Sequence, residues 1–107
     1  MIEMILILIA AHYIADYPLQ GDAIAVGKNR NVNKAHHGVP WFHWLTAHAC
    51  THAMAVGLMT GNVWLGLAEF IAHFIIDFGK CEKWFGLEVD QILHVLCKIL
   101  WVFIVFL

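Results

Sequence analysis

Pairs of side chains that can bind metal recur in this chain at a spacing of four residues. Each pair lies in or at the end of a strongly apolar stretch, and the pairs are His12 and Asp16, His48 and His52, His73 and Asp77, and Asp90 and His94. Four-residue spacing places both side chains of a pair on one face of a helix. Four helices that each point two ligands inward can build a metal site inside a four-helix bundle. The spacing therefore predicts a metal centre between helices.

The eight side chains offer five imidazoles and three carboxylates. Imidazole suits zinc, iron, copper and nickel, whereas carboxylates suit harder ions. A tetrahedral ion takes three or four protein ligands, so eight ligands would serve two ions that share a bridging carboxylate. We expect one or two divalent metal ions, with zinc first and iron or manganese as alternatives. The competing interpretation is a polar bundle core in which histidine–aspartate hydrogen bonds only hold the helices together.

Three acidic residues are candidates for catalysis. Asp77 or Asp90 would be a bridging ligand or a base, because a dinuclear centre can activate a water molecule. Glu69 precedes His73 by four residues and shares its face. It could hold a ligand in place, act as a general base, or be a protonated, hydrogen-bonded acid, and these alternatives stay open. Lys98 lies one turn beyond the last pair and could neutralise Glu69 or another acid.

Two lysines and two glutamines near the pairs are candidates for substrate binding, namely Lys28, Lys80, Gln20 and Gln91. The lysines would attract an anionic group of the substrate, and for Lys80 the alternative is that it extends to lipid headgroups as such lysines commonly do. The glutamine amides would orient a ligand or lie at the membrane interface. No role is assigned to His36 and His37, which lie in a basic loop.

The composition is that of an apolar, single-domain protein. The 107 residues are 62% hydrophobic and 13% charged, with a mean hydropathy of +0.74. Ordinary soluble domains are only about half apolar. A formal net charge of −2 and the lack of a basic stripe argue against nucleic acid as a partner. The three scattered cysteines predict no disulfide framework.

The hydrophobic stretches predict an all-α fold, a small integral membrane four-helix bundle. The helices are expected at about residues 2–19, 41–60, 63–79 and 90–107, in a single transmembrane domain of residues 1–107. Each has roughly 17–20 residues, which is the lower part of the range that spans a ~30 Å hydrocarbon layer. Residues 21–39 are expected to form a polar cytoplasmic loop, and Gly61-Asn62 a tight turn.

Basic residues indicate the orientation of the expected bundle. Lys28, Arg30, Lys34, Lys80 and Lys83 lie in the connections at one of its ends. The positive-inside rule makes that end cytoplasmic, with both termini outward. All four pairs then fall in the cytoplasmic half, which favours one common site facing the cytoplasm. Ionisable groups inside a membrane are costly, and such groups usually have a function.

Four elements of the chain form a series. They are His12–Gln20 (HYIADYPLQ) followed by Lys28, a helix with His48 and His52, His73–Lys80 (HFIIDFGK) and Asp90–His94 (DQILH). In this order they resemble the signatures of a bacterial and phage membrane-protein family known as a domain of unknown function, number 3307. The resemblance covers nearly the whole chain. It implies an integral membrane protein, which we expect in the bacterial inner membrane, and it implies no reaction.

The leading hypothesis is a membrane-embedded, metal-dependent hydrolase that acts on a lipid or other amphipathic substrate from the cytoplasmic leaflet. Membrane lipid is then its partner, and a homo-oligomer is considered because a second copy could close the cavity. The same ligands could hold two irons for oxygen chemistry. Two alternatives come from other classes: a metal-ion or proton transport or binding protein, and a structural or pore-forming small phage-type membrane protein. Transport needs a continuous polar path, which only Glu69 and Lys98 would extend outward.

Overall fold

The computed structural model describes residues 1–34 and 36–107, and Ala35 and the side chain of His36 lie outside that description. In this range the chain is all-helical, without a β-strand. Its helices are α1 (Ile2–Asp16), α2 (Gly21–Gly27), α3 (Trp41–Thr60), α4 (Val63–Cys81) and α5 (Leu87–Val105), with a 3-10 turn at His36–Gly38. The four long helices form the bundle, and α2 is a fifth, short helix within the polar loop.

The first helix ends at Asp16, three residues before its expected end. Pro18 has no backbone N–H, and its ring crowds the carbonyl four residues earlier, so a helix does not readily continue through it. The Leu19 amide donates to the Ile14 carbonyl at 3.1 Å, which closes the last turn. Gly21 then adopts a φ of +67°, which glycine tolerates without a steric cost. Helix α2 consequently leaves at 83° to α1 and contacts α3.

Two other helices differ from their expected bounds by two or three residues. Helix α4 continues to Cys81, two residues beyond its expected end. Helix α5 begins at Leu87, three residues earlier than expected, because the Gly86 carbonyl accepts the Asp90 amide at 3.0 Å. Asp90 therefore lies within the first turn of α5 rather than at its start, and the basic connection before it is shorter than the sequence indicated.

A tight hairpin joins α3 to α4. Gly61 has a φ of +66°, the left-handed conformation that commonly ends a helix. Asn62 begins α4 as its N-cap, because its side-chain oxygen accepts hydrogen bonds from the Trp64 amide at 2.9 Å and the Leu65 amide at 3.3 Å. The two helices therefore run antiparallel from this turn.

The bundle has an apolar half and a polar half. Helix α1 packs against α3 and α5, and helix α4 packs against the same two helices. Helices α1 and α4 do not pack extensively on each other. The start of α1, the end of α3, the start of α4 and the end of α5 meet in an apolar cluster formed by Leu8, Val56, Leu65, Trp101 and Val102. Towards the opposite end, histidine and carboxylate side chains fill the interior. The polar half therefore contains the candidate site.

The loop after α2 is tied to the end of α4. Arg30 forms an ion pair with Glu82, and the Asn31 side chain donates to the Glu82 carboxylate at 2.6 Å and to the Cys81 carbonyl at 3.2 Å. The hydrogen bond from Asn31 and the ion pair with Arg30 hold the pKa of the Glu82 carboxyl below its usual range. These contacts fix the loop next to the polar half of the bundle.

Polar side chains lie inside this protein and many large apolar side chains lie outside. Buried polar residues include Glu69, Lys98 and five of the six histidines on the bundle helices, whereas Leu58, Trp64 and Ile71 are among the exposed apolar ones. Within the described residues, no single helix is both long enough and apolar enough to cross a membrane by itself. Helices α1 and α2, which meet at 83°, reach that length and apolarity only as a pair. The four spanning helices expected from the sequence therefore stay a prediction.

Candidate metal centre

Four helices bring the predicted histidines into one cluster. Helix α1 contributes His12, α3 contributes His48 and His52, α4 contributes His73, and α5 contributes His94. Each of these residues is at most 1% exposed. Residues one helical turn apart lie above one another on the same face, so the four-residue pairs all point inward once the apolar residues of the other half pack. The cluster thus follows from helix periodicity combined with bundle packing.

Four side chains form the first group of convergent ligand atoms: Asp16, His48, His52 and His73. One ligand atom from each lies within 4.8 Å of the others. The Oδ1 atom of Asp16 is 3.1 Å from Nε2 of His48 and 3.0 Å from Nε2 of His52. It is 3.9 Å from Nε2 of His73. Imidazoles and a carboxylate are the ligand types that zinc and iron take in proteins.

A second group comprises His12, His73 and His94, whose ligand atoms also lie within 4.8 Å of one another. The rings of His73 and His94 stack with their centroids 4.1 Å apart, and those of His52 and His73 with theirs 3.7 Å apart. His73 belongs to both groups, so it is the residue on which both possible ion positions depend. If one ion occupied the first group, Asp16, His48, His52 and His73 would hold it, and His12 and His94 would lie beside it.

Four ring nitrogens in the cluster fit the requirement of a metal ion for lone pairs. Within the described part of the chain, no hydrogen-bond partner reaches Nε2 of His52, Nε2 of His73, Nδ1 of His12 or Nδ1 of His94, although all four atoms are buried. Buried polar atoms in folded proteins are nearly always hydrogen-bonded. The His52 nitrogen is close to Asp16 but lacks the geometry of a hydrogen bond to it. These unpartnered nitrogens are consistent with residues that could hold a divalent cation.

The charges around the cluster also favour a cation. The ionisable groups in and beside it are four carboxylates and two lysines, namely Asp16, Glu69, Asp77, Asp90, Lys28 and Lys98. With neutral histidines and ionised carboxylates, the set has a net charge of −2. An uncompensated charge is expensive in a low-dielectric interior. One divalent ion would neutralise the set.

Asp77 lies beside the first group but does not belong to it. Its Oδ2 atom accepts a hydrogen bond from Nζ of Lys28 at 2.7 Å and lies 3.5 Å from Nε2 of His48. Lys28 is only 5% exposed and also donates to the side-chain oxygen of Gln20. The amide of Gln20 in turn donates to the Asp16 carbonyl at 3.2 Å. Because α2 leaves α1 at 83°, Lys28 points into the bundle, and its ammonium group lies next to the Asp77 carboxylate.

Gln91 connects Asp90 to the central carboxylate. Its amide nitrogen donates to Oδ2 of Asp16 at 2.9 Å and to Oδ2 of Asp90 at 3.0 Å. Its amide oxygen lies 3.0 Å from Nε2 of His12. An amide oxygen only accepts, so Nε2 of His12 donates and the lone pair of that ring is on Nδ1. Asp90 itself lies 3.4 Å from Nε2 of His94 and is outside both ligand groups.

Glu69 lies on the side of His73 opposite to the ligand atoms. Its Oε1 atom is 3.3 Å from Nδ1 of His73 and also accepts from Lys98. Its Oε2 atom accepts from the indole nitrogen of Trp101 at 2.7 Å. Sequence reasoning overlooked Trp101, because a tryptophan near the end of an apolar helix is also typical of a membrane interface. Lys80, near the end of α4, has no side-chain partner among the described residues and stays outside the cluster.

Comparison with known proteins places the chain in a family. No curated protein and no solved structure matches it. A family model described as "Protein of unknown function (DUF3307)" matches residues 4–107, a range that contains every residue of the cluster. The matched region is nearly the entire chain, and the chain therefore belongs to the DUF3307 family.

Proposed function

We propose that this protein is a membrane-embedded, metal-dependent hydrolase that acts on a lipid or other amphipathic substrate from the cytoplasmic leaflet. One observation supports the proposal above all others. Asp16, His48, His52 and His73 converge within 4.8 Å, and two of their imidazole nitrogens are buried without a hydrogen-bond partner. Three imidazoles and a carboxylate are the donor types of hydrolytic zinc sites, with iron and manganese as the alternatives.

Within this proposal, His48, His52 and His73 would bind one zinc ion. The bound ion would supply a water molecule whose pKa is lowered towards ~7. Asp16, whose Oδ1 atom is 3.0–3.1 Å from two of the imidazoles, would either complete the ligand set or accept the proton of the attacking water. Gln91 would hold the second oxygen of Asp16 in place, since it donates to that atom at 2.9 Å.

The proposed base differs from the bases that the sequence offered. Lys28 binds the Asp77 carboxylate and Lys98 with Trp101 binds Glu69, whereas Gln91 binds both Asp90 and Asp16. The side chain of Asp16 is 12% exposed, whereas those of Asp77, Asp90 and Glu69 are 3%, 2% and 0% exposed. A base must reach the water and the substrate, so partial exposure favours Asp16. Asp77 and Asp90 would instead balance charge beside the ion.

The surface supports a location in the membrane. Exposed aliphatic and aromatic side chains cover all four long helices, including Ile14, Leu58, Ile71 and Leu100. Contiguous apolar surface of this kind marks contact with lipid or with another protein. Helices of 19 or 20 residues are about 30 Å long, which matches the hydrocarbon layer. The basic residues at the polar end would then face the cytoplasm.

A groove between α1 and α5 supports access for an amphipathic substrate. It has a volume of about 300 Å³ and is lined by Tyr13, Glu88, Gln91, Ile92, Val95 and Leu96. Gln91 lines this groove and also binds Asp16. A substrate could therefore hold its apolar part against Ile92 and Val95 while its polar part reaches the carboxylate. Of the two lysines considered for an anionic group of the substrate, Lys28 is buried against Asp77, so Lys80 would have that role.

Transport of metal ions or protons is the less favoured function. A transport path would have to continue from the cluster through the other half of the bundle. Leu8, Val56 and Val102 are each at most 1% exposed and fill that half. The polar contacts that begin with the ion pair of Glu69 and Lys98 also go no further than the Trp101 indole, which donates to Glu69. A site entered from one end therefore agrees better with the packing than a path across.

The test begins with the metal content of detergent-purified protein, measured by inductively coupled plasma mass spectrometry. We expect about one zinc ion per chain in the wild type, because one divalent ion neutralises the cluster. His48→Ala and His73→Ala should lose that metal. His43→Ala is the matched control, since His43 is an exposed histidine of the same helix as His48. Equal metal content in all variants, or none in the wild type after incubation with zinc, would refute the metal centre.

Hydrolysis is then tested on mixed micelles with three probes: a fatty-acyl nitrophenyl ester, dioctanoyl phosphatidylglycerol and farnesyl diphosphate. We expect the wild type and His43→Ala to hydrolyse at least one probe, a chelator to stop the reaction, and zinc to restore it. His48→Ala should be inactive under all conditions. Metal-loaded wild-type protein that hydrolyses none of the three probes would overturn the hydrolase and favour a metal-binding or transport role.

A further inference from the structure

We propose that Glu69 is a positioning residue that sets the metal affinity of the cluster through His73. Lys98 and Trp101 hold the Glu69 carboxylate in the position that this role requires. The inference rests on the proposed metal centre. It adds that residues next to the apolar half of the bundle determine how tightly that centre binds metal. Glu69 therefore has a role different from the general base considered from the sequence. Its carboxylate touches the back of a ligand and not the space where ligand atoms converge.

Three donors surround the Glu69 carboxylate. Lys98 and Nδ1 of His73 are near Oε1, and the Trp101 indole donates to Oε2 at 2.7 Å. Glu69 is fully buried, and Lys98 is 1% exposed. Donors therefore face both carboxylate oxygens, and hydrogen bonds to charged or N–H donors fix the direction of a carboxylate. Glu69 consequently has a fixed orientation.

The contact with Glu69 determines which nitrogen of His73 carries a proton. Nδ1 of His73 is 3.3 Å from Oε1 and must donate to it. The lone pair of the ring is then on Nε2, and this atom is buried with no partner in the described part of the chain. A carboxylate behind a ligating histidine fixes its tautomer, orients its ring and increases its basicity. His73 is thus prepared for an ion before the ion binds.

His73 is the ligand for which this preparation has the largest consequence. It is the one histidine that belongs to both groups of convergent ligand atoms. Its ring stacks against those of His52 and His94, so a turned or re-protonated His73 would disturb both. Besides donating to Glu69, Lys98 neutralises the charge of that carboxylate. The remaining −2 charge of the cluster would then be balanced by the metal.

The experiment measures zinc affinity by competition with a fluorescent zinc indicator in detergent, and records the visible spectrum of the Co²⁺-loaded protein. The main variant is the double substitution Glu69→Gln and Lys98→Met, which removes the charge from the pair without leaving a single buried charge. We expect its zinc Kd to rise about 10- to 100-fold, the usual effect of losing such a partner. The Co²⁺ spectrum should also change, since the His73 ring is no longer held.

Two further variants keep the test decisive. Trp101→Phe retains the ion pair and removes one donor, so we expect a smaller rise in zinc Kd, even if the double variant fails to fold. Val102→Ala is the control for general destabilisation, because Val102 is a fully buried aliphatic neighbour in α5. It should lower the unfolding temperature and leave zinc Kd unchanged. Folded variants of Glu69 and Trp101 with the wild-type Kd and Co²⁺ spectrum would overturn the inference alone, whereas a wild type that binds no metal would overturn the proposed function as well.

Discussion

Asp16 is the carboxylate at the centre of the cluster. Its Oδ1 atom faces His48 and His52, and its Oδ2 atom accepts from Gln91. The two oxygens of one side chain thus link α1 to both α3 and α5. The sequence had offered Asp77 or Asp90 as the bridging carboxylate, but neither belongs to a group of convergent ligand atoms. Asp16, Asp77 and Asp90 look equivalent in the sequence. Their positions relative to neighbouring side chains in the tertiary structure distinguish them.

The pair of Lys28 and Asp77 gives a prediction for single residues. Lys28→Met should lower the free energy of unfolding in detergent by about 3–5 kcal/mol, because it leaves a buried carboxylate without its cation. The double variant Lys28→Met with Asp77→Asn should recover most of that loss, since no buried charge is then unpaired. Thermal or denaturant unfolding followed by circular dichroism measures all of these values.

Lys80→Met is the control for the Lys28 prediction. Lys80 is half-buried near the end of α4 and its ammonium has no partner among the described residues, so we expect a change within about 0.5 kcal/mol. A double variant as unstable as Lys28→Met alone would show that the coupling between the two side chains is negligible.

Among the elements, α3 and α4 approach each other closely at their hairpin, where glycines allow the two backbones to touch. A Cβ atom on Gly66 would lie 3.0 Å from the Ala53 carbonyl oxygen and 3.3 Å from the Cα atom of Gly57. Both neighbours are backbone atoms, which cannot rotate away. A Cβ atom on Gly57 would meet the Gly66 Cα atom at 3.7 Å, an ordinary contact. The contact is therefore asymmetric, although both partners are glycines.

This asymmetry predicts different effects for two alanine substitutions. Gly66→Ala should destabilise the protein by about 1–3 kcal/mol, because the helices must separate to admit the methyl group. Gly57→Ala should be neutral or stabilising by up to about 1 kcal/mol, because alanine favours the helix. Unfolding temperatures of the two variants in the same detergent provide the comparison. Equal losses for both would contradict the geometry of the hairpin.

For the whole molecule, ionisable side chains are buried in one half of the bundle, while large apolar side chains are exposed on all four long helices. Ile71, near the middle of α4, is 52% exposed, and Val63, at the start of the same helix, is 74% exposed. In water, a lysine at either position would cost little. In lipid, its cost depends on depth, because a lysine near a helix end can extend to the headgroups and one at the centre cannot.

Ile71→Lys should therefore reduce the amount of protein recovered in alkaline-washed membranes, since a lysine at the centre of a membrane helix costs roughly 2.5–3.5 kcal/mol. Val63→Lys is the matched control at the helix end and should be recovered almost as well as the wild type. The measurement is quantitative immunoblotting of the membrane and supernatant fractions. Recovery of the wild type in the supernatant without detergent, or equal recovery of both variants, would argue against a lipid-facing surface.

Much of the helical framework could be predicted from the sequence, because the signals involved are local. Apolar stretches indicate helices, Pro18 indicates an end of the first one, and Gly61 with Asn62 indicates the hairpin. The residues at the ends were harder to predict. Helix α1 ends three residues early and α5 begins three residues early, since the final turns depend on a few backbone hydrogen bonds that compete with turn geometry.

The sequence by itself determined which side chains share a helix face, and therefore that His12, His48, His52, His73 and His94 point inward. That conclusion needs only the helical period. Only the tertiary structure decided that Asp16 is central, that Lys28 binds Asp77, and that Trp101 holds Glu69. These contacts depend on the 83° turn of α2 and on the rotation of each helix about its axis. Both are set by packing between residues far apart in the chain, which no local pattern encodes.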